Sequence, residues 1–276
     1  MRTAKASPAR SNTREELSVL GAPVEVRRHA GARRLTLRVS RTRRAVIVTL
    51  PLQCDLGEAG NFLNRNIDWV RARLDSLPQP VQFVDGAFMP LRGEPHRLVF
   101  TGPNRSNRQG VVGRTTESPI PGFQIPTLPI PTLQIPTLQI PTLQIPTLQI
   151  SGNSEHAPRR LTDWLANEAK ADLTARVAHH ASALKVKAKG IAVRDQASRW
   201  GSCSTTGVLS FSWRLVMAPP AILDYVAAHE VAHLREMNHG PRFWALVRQT
   251  YPGLDEAKRW LQIYGLDLHR YGASEI

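Results

Sequence analysis

The sequence predicts an α+β protein, and three observations carry that reading. Apolar and polar residues alternate between about residues 18 and 50, which is the period of a half-buried strand. The segment Leu56–Leu77 then shows a helical period, with Phe62, Ile67, Trp69, Val70 and Leu74 as its apolar stripe. Further on, a helix from about Ala221 to Glu236 is apolar almost all round, the profile of a buried helix.

Residues 1–17 are basic and polar and are expected to form a disordered tail. A β-rich N-terminal region follows over 18–102. Leu35, Leu37 and Val39 alternate with Arg34, Thr36 and Arg38, and Val46, Val48 and Leu50 with Ile47 and Thr49. The polar run Ser40–Arg44 between them reads as a hairpin turn. Pro78 stops the helix that comes next, and residues 81–101 return to short strands broken at Asp85-Gly86 and at Gly93. From about Ile120 to Ile150 the chain repeats IPTLQ with period five. A proline at every fifth position removes helix hydrogen bonds and sheet donors alike, so 103–156 is expected to be a disordered, low-complexity, Pro-rich repeat insertion. Structure resumes at Arg159 with a helix carrying Trp164, Leu165, Ala169, Leu173, Val177 and Ala181. Strands at 191–194 and 208–216 follow, and Ala218-Pro219-Pro220 opens the buried helix, since proline suits a first helical turn.

Composition narrows the function classes. The net charge is +14, and residues 1–44 hold 12 Lys/Arg against 3 Glu. A basic segment of that kind could give weak polyanion or nucleic-acid binding, although no aromatic residues interleave these arginines as a stacking platform. Cys54 and Cys203 form no CxxC pair or disulfide framework. The N-terminus lacks the apolar stretch of a secretory signal, and no apolar run reaches the roughly 18–20 residues of a membrane helix. A cytoplasmic protein without a membrane role is expected.

The chemistry is written in His229-Glu230-Val231-Ala232-His233, with His239 beyond it. Residues four apart share a helix face, so His229 and His233 can aim two imidazoles at one metal ion. Glu230 beside them is placed to act as general base, the set of parts a Zn2+ hydrolase needs. A buried helix also makes an unpartnered His-Glu-His face costly. For His239 to turn back, the helix must break: Asn238 tolerates a left-handed conformation, and Gly240-Pro241 forbids simple continuation. The spacing HExxHxxxxxH equals that of metzincins, but Glu236 stands where their turn glycine would be. The other source of a third ligand is Asp255 or Glu256, on a helix after Pro252-Gly253; either could instead orient a ligand histidine. His179 and His180 read as a solvated or half-buried pair, and Cys203 as a small packed residue. Arg199, Trp200 and Tyr225 are candidates to line the cleft.

The runs Arg199-Trp200-Gly201-Ser202-Cys203-Ser204, Leu209-Ser210-Phe211-Ser212-Trp213-Arg214-Leu215 and Asp224-Tyr225-Val226, with HEVAHL, Asn238-His239 and Phe243-Trp244, resemble the YgjP-like metallopeptidase family, a relative of SprT-like zincins. The resemblance implies a zincin-like catalytic domain over 157–272, with Zn2+ on His229, His233 and His239 and Glu230 as base. It also implies an antiparallel strand beside the active-site helix, able to hold an extended peptide by edge pairing. The expected function is a zinc metallopeptidase acting on a protein or peptide substrate. One rival is a zinc-dependent nucleotide phosphoanhydride hydrolase (a pyrophosphatase) using Arg199, which no P-loop or acidic two-metal cluster supports. The other is a DNA-associated protease using Arg33, Arg34, Arg43 and Arg44.

Overall fold

The structure, a computed structural model, describes residues 21–102, 112–115, 145–196 and 198–272. The tail at 1–17 and most of the repeat lie outside the described residues. The chain divides into two compact units, Met1–Pro80 with Ala273–Ile276, and Val81–Gly272.

In the first unit β1 (Val24–Arg28), β2 (Thr36–Ser40) and β3 (Ala45–Leu50) form a sheet in the order β1-β3-β2. β2 and β3 pair antiparallel from Ser40↔Ala45 to Thr36↔Thr49, which makes Arg41–Arg44 the hairpin loop. β3 is buried on both faces, with Val46, Ile47, Val48 and Leu50 at 3% exposure or less. The helical segment is two helices, α1 (Leu56–Arg65) and α2 (Ile67–Asp75), rather than one. A capping box between Asp55 and Glu58 starts α1. The break comes at Asn66, whose Nδ2 donates to the Phe62 carbonyl at 2.8 Å and competes with the helix ladder. The stripe narrows accordingly: Val70 and Leu74 are buried, whereas Trp69 is exposed.

Among the described residues the second unit holds two sheets and four α-helices. One sheet, in the order β4-β5-β7-β6, comprises β4 (Phe88–Leu91), β5 (Glu94–Gly102), β6 (Val112–Thr115) and β7 (Thr147–Ser151). The other, in the order β8-β10-β9, comprises β8 (Gly190–Arg194), β9 (Gly201–Cys203) and β10 (Val208–Ser212). The predicted strand 208–216 thus ends at Ser212 and passes into a 3-10 turn over Trp213–Met217. The helices are α3 (Ala157–Ala183), α4 (Pro220–Ala232), α5 (Pro241–Thr250) and α6 (Leu254–Leu268). α3 lays Leu161, Leu165, Ala169, Leu173 and Val177, each four residues from the last, into the core.

Two findings change the reading of 103–156. Residues 112–115 and 147–151 are strands of the second unit, so these parts of the span are not disordered insertion. β7 is the last copy of the repeat, with Leu148 and Ile150 fully buried between β5 and β6. Proline did not prevent this, because Thr147–Ile150 fits between Pro146 and Ser151, and proline is tolerated at a strand's start. The units also part at residue 80, so β4 and β5 lie with the helices of the second unit.

Candidate metal centre

α4 starts on Pro219-Pro220 and is buried along its length, with Ile222, Leu223, Val226, Ala227, Ala228 and Val231 at 5% exposure or less. Its axial placement is set from α3. Asp224 accepts from Arg176 Nη2 at 2.6 Å and pairs with His180 Nε2 at 2.7 Å, while His180 itself is fully buried. His180 is therefore an internal tie and His179, which is exposed, has no part in it. Burial works to raise the Asp224 carboxyl, but hydrogen bonds and charge from His180 and Arg176 hold it below its ordinary value.

At the far end of α4 His229 and His233 project together, and the chain must turn to bring in His239. It does so without the expected left-handed Asn238: among described non-glycine residues only Arg44, Arg92 and Lys185 take a positive φ. The helix instead tightens, with Leu234 N–H donating to the Val231 carbonyl and Arg235 N–H to Ala232. Gly240, extended at φ −81° and ψ −176°, then leads into Pro241 at the start of α5. The ligand-capable nitrogens of His229, His233 and His239 all lie within 4.8 Å of one another. His229 Nε2 and His239 Nε2 are 3.0 Å apart.

Neighbouring groups orient the imidazoles. His233 Nδ1 is 3.1 Å from the Glu236 carbonyl, the geometry of an Nδ1–H donor that leaves Nε2 free as a ligand. The main chain of Glu236, at the metzincin glycine position, thus helps to orient His233. Phe243, fully buried, packs its ring 4.5 Å from His233, 4.7 Å from His239 and 4.8 Å from His229. Trp244 lies 5.7 Å from His239, with Lys258 Nζ 4.3 Å over its ring. Burial first, then charge from His233, His239 and Lys258, pushes His229 down to about 3. It is neutral at physiological pH, as a metal ligand must be.

Glu230 is 5% exposed, and its Oε2 has no hydrogen-bond partner. Burial pushes its carboxyl up to about 8, against the pull of Arg199. β9 runs beside α4, and Gly201 comes so near that a Cβ there would meet Glu230 Cγ and Oε1 at 2.6 Å. A family model described as YgjP-like, metallopeptidase domain matches residues 33–119 and 135–264.

The chain belongs to the YgjP-like metallopeptidase family.

The family match skips 120–134, about the first half of the repeat, and resumes inside it at 135, before β7. No curated protein matches the chain. A solved structure, the crystal structure of the metallopeptidase zymogen of Pyrococcus abyssi abylysin, aligns at TM-score 0.31 and 19% identity, covering 34% of this chain and 95% of that one. Membership makes this YgjP-like chain a metallopeptidase at the family level and implies a divalent metal. The three histidines fit one, since imidazole nitrogens about 2.0–2.1 Å from a tetrahedral ion stand roughly 3.3 Å apart.

Other sequence candidates fall elsewhere. Among the described residues neither Asp255 nor Glu256 joins the histidine group. Both lie in the first turn of α6, where negative charge suits the helix dipole. Trp200 packs on His269, with ring centroids 4.8 Å apart, and against Gly265 of α6. Tyr225 stands edge-on to His229 at 6.0 Å, and burial, with the charges of Glu230 and Asp255, pushes its phenol up to about 12. Sequence reasoning missed the Asp224 tie and the steric role of Gly201. An aspartate and a histidine 44 positions apart carry no local period; only the WGS glycine, with no turn to explain it, held a signal.

Proposed function

We propose that this metallopeptidase is a zinc-dependent enzyme that cleaves peptide bonds with Glu230 as general base and His229, His233 and His239 as ligands. The observation that carries this reading is the buried Glu230 Oε2, unpartnered and one residue from the ligand His229. A buried carboxylate oxygen without a partner is costly unless a substrate or water completes it. Zinc, when bound, supplies a Lewis acid and lowers the pKa of water. A divalent cation held by the histidines would favour the ionised form of Glu230, which burial alone keeps protonated near pH 7; Glu230 then takes the proton from the attacking water at Oε2 and returns it to the leaving amine. Among the described residues β9 is an edge strand, since the order β8-β10-β9 leaves its second side unpaired, and it can align an extended peptide by backbone hydrogen bonds. The free Cys54 and Cys203 suit a reducing compartment such as the cytoplasm.

The test is Glu230→Gln, with metal content measured by elemental analysis beside hydrolysis of a denatured-protein substrate. The variant is expected to keep its metal and lose at least about 100-fold in kcat; unchanged hydrolysis sinks the assignment. Nucleoside triphosphates assayed in parallel address the phosphoanhydride reading, which relies on the exposed Arg199. Of the four arginines considered for DNA, Arg33, Arg34 and Arg43 are exposed, Arg43 pairing with Glu25, while the half-buried Arg44 donates to the Leu77 and Pro78 carbonyls. No helix among the described residues is long and apolar enough to cross a membrane.

A further inference from the structure

Gly201 has no conformational reason to be glycine. The positive-φ glycines are Gly21, Gly86, Gly93, Gly102, Gly152, Gly207 and Gly272, so the backbone at 201 suits any L-residue. Its pairing with Phe211 on β10 demands no glycine either. What forbids a side chain is Glu230: a Cβ would stand 2.6 Å from Cγ, 2.6 Å from Oε1 and 2.8 Å from Cδ.

We propose that Gly201 is a positioning residue for Glu230, its missing Cβ being the space that holds the base's carboxylate against the strand that aligns substrate. The proposal rests on the reading of Glu230 as base. Neither backbone can give way to an added methyl. β9 is held from behind by its pairs with β10, whose Phe211 is fully buried. The Ser212 N–H donates to the Trp200 carbonyl at 2.9 Å, and the Trp200 ring is wedged against Gly265, where a Cβ would come within 3.3 Å of it. On the other side Glu230 adjoins His229, so α4 cannot retreat without carrying a ligand histidine with it. The carboxylate is the part that moves. Swung away from β9, it leaves the point where an attacking water meets a peptide aligned on that edge. Misplacement by about 1 Å is enough to cost about 100-fold in rate.

The experiment uses the full chain with its metal: wild type, Gly201→Ala, Glu230→Ala and the double variant that combines them. G201A is expected to retain wild-type metal content and KM while kcat falls about 100-fold. Thermal melts supply a readout independent of catalysis: G201A lowers the midpoint beside Glu230 and leaves it unchanged in E230A. If G201A does not fold, folding of G201A/E230A supports the steric coupling, and failure of that double as well overturns it. A wild-type kcat for G201A, or an equal drop in midpoint with and without the Glu230 side chain, also overturns the proposal. Hydrolysis retained by Glu230→Gln refutes the base assignment separately, because the melts still judge the contact itself.

Discussion

Helix α4 and strand β7 lie in the core of the same unit and are built on opposite plans. α4 uses each position once: Asp224 ties it to α3, His229 and His233 face His239, and Glu230 turns toward β9. β7 is a stock part. Its Pro146–Ile150 is the fourth of four identical PTLQI pentapeptides, after 131–135, 136–140 and 141–145. What singles out the last copy is its exit. Ser151-Gly152 follows it, and Gly152 takes φ 99° while its N–H donates to the Gly102 carbonyl at 2.7 Å. The other copies are followed by Pro-Thr, which supplies neither a sheet donor nor an easy positive φ. Core position alone therefore does not make a segment irreplaceable; unique partners do.

The largest effect expected on the α4 side is from His233→Ala. It is expected to abolish metal retention and hydrolysis together while far-UV circular dichroism stays that of wild type, since His233 caps the helix rather than filling the core. Metal content by elemental analysis checks this. Full retention of metal in that variant would erase the contrast with β7, where no side chain has a chemical task.

Next in size is a test of redundancy itself. Leu98 on β5 and Leu148 on β7 are both fully buried in the same sheet. Leu98→Asp is expected to cost about 5 kcal/mol, from lost burial and an unsatisfied carboxyl. Leu148→Asp is expected to cost only about 2–3 kcal/mol, because the chain can shift by one repeat, with Leu143 taking the place of Leu148 and Ile145 that of Ile150. The shift places Thr147 at the positive φ of Gly152 and Pro146 at Ser151, a penalty of roughly that size. Urea unfolding measures both, and adding Leu143→Asp to Leu148→Asp should raise the cost again. Equal costs for Leu98 and Leu148, with no added effect at Leu143, would show that β7 is as unique as β5.

The same contrast explains what could be read from the sequence. His229, Glu230 and His233 stand out because metal chemistry demands those residue types at helical spacing, and His239 because Gly240-Pro241 marks a turn. The β2–β3 hairpin was equally legible, since Leu37, Val39, Val46 and Val48 keep period two across a polar turn. β7 was hidden because a pattern repeated four times does not say which copy is used, and its prolines argue against every copy alike. The break at Asn66 turns on one side-chain hydrogen bond, and the Asp224 tie on contacts between distant helices. Neither leaves a periodic trace.

The smallest effect expected separates the two regions by pH. Arg176 and His180 keep the Asp224 carboxyl below its ordinary value of about 4 although burial opposes them. A carboxyl depressed in the folded state contributes stability that is fully present above its unfolded pKa and is lost as pH falls through the folded one. Asp224→Asn is therefore expected to cost about 2 kcal/mol at pH 7, where a charge-assisted bond is exchanged for a neutral one. That cost should shrink as the pH drops below about 4, because the wild-type carboxyl is then being protonated too. Leu148→Asp behaves differently. Its carboxylate is unwelcome when ionised and less so when neutral, so its penalty also eases in acid, but from the ordinary carboxylate range upward or higher, not from below it. Thermal melts from pH 3 to pH 7 resolve the two. A D224N penalty that stays constant across that range would mean that α4 is held against α3 by packing alone, as β7 is held in its sheet.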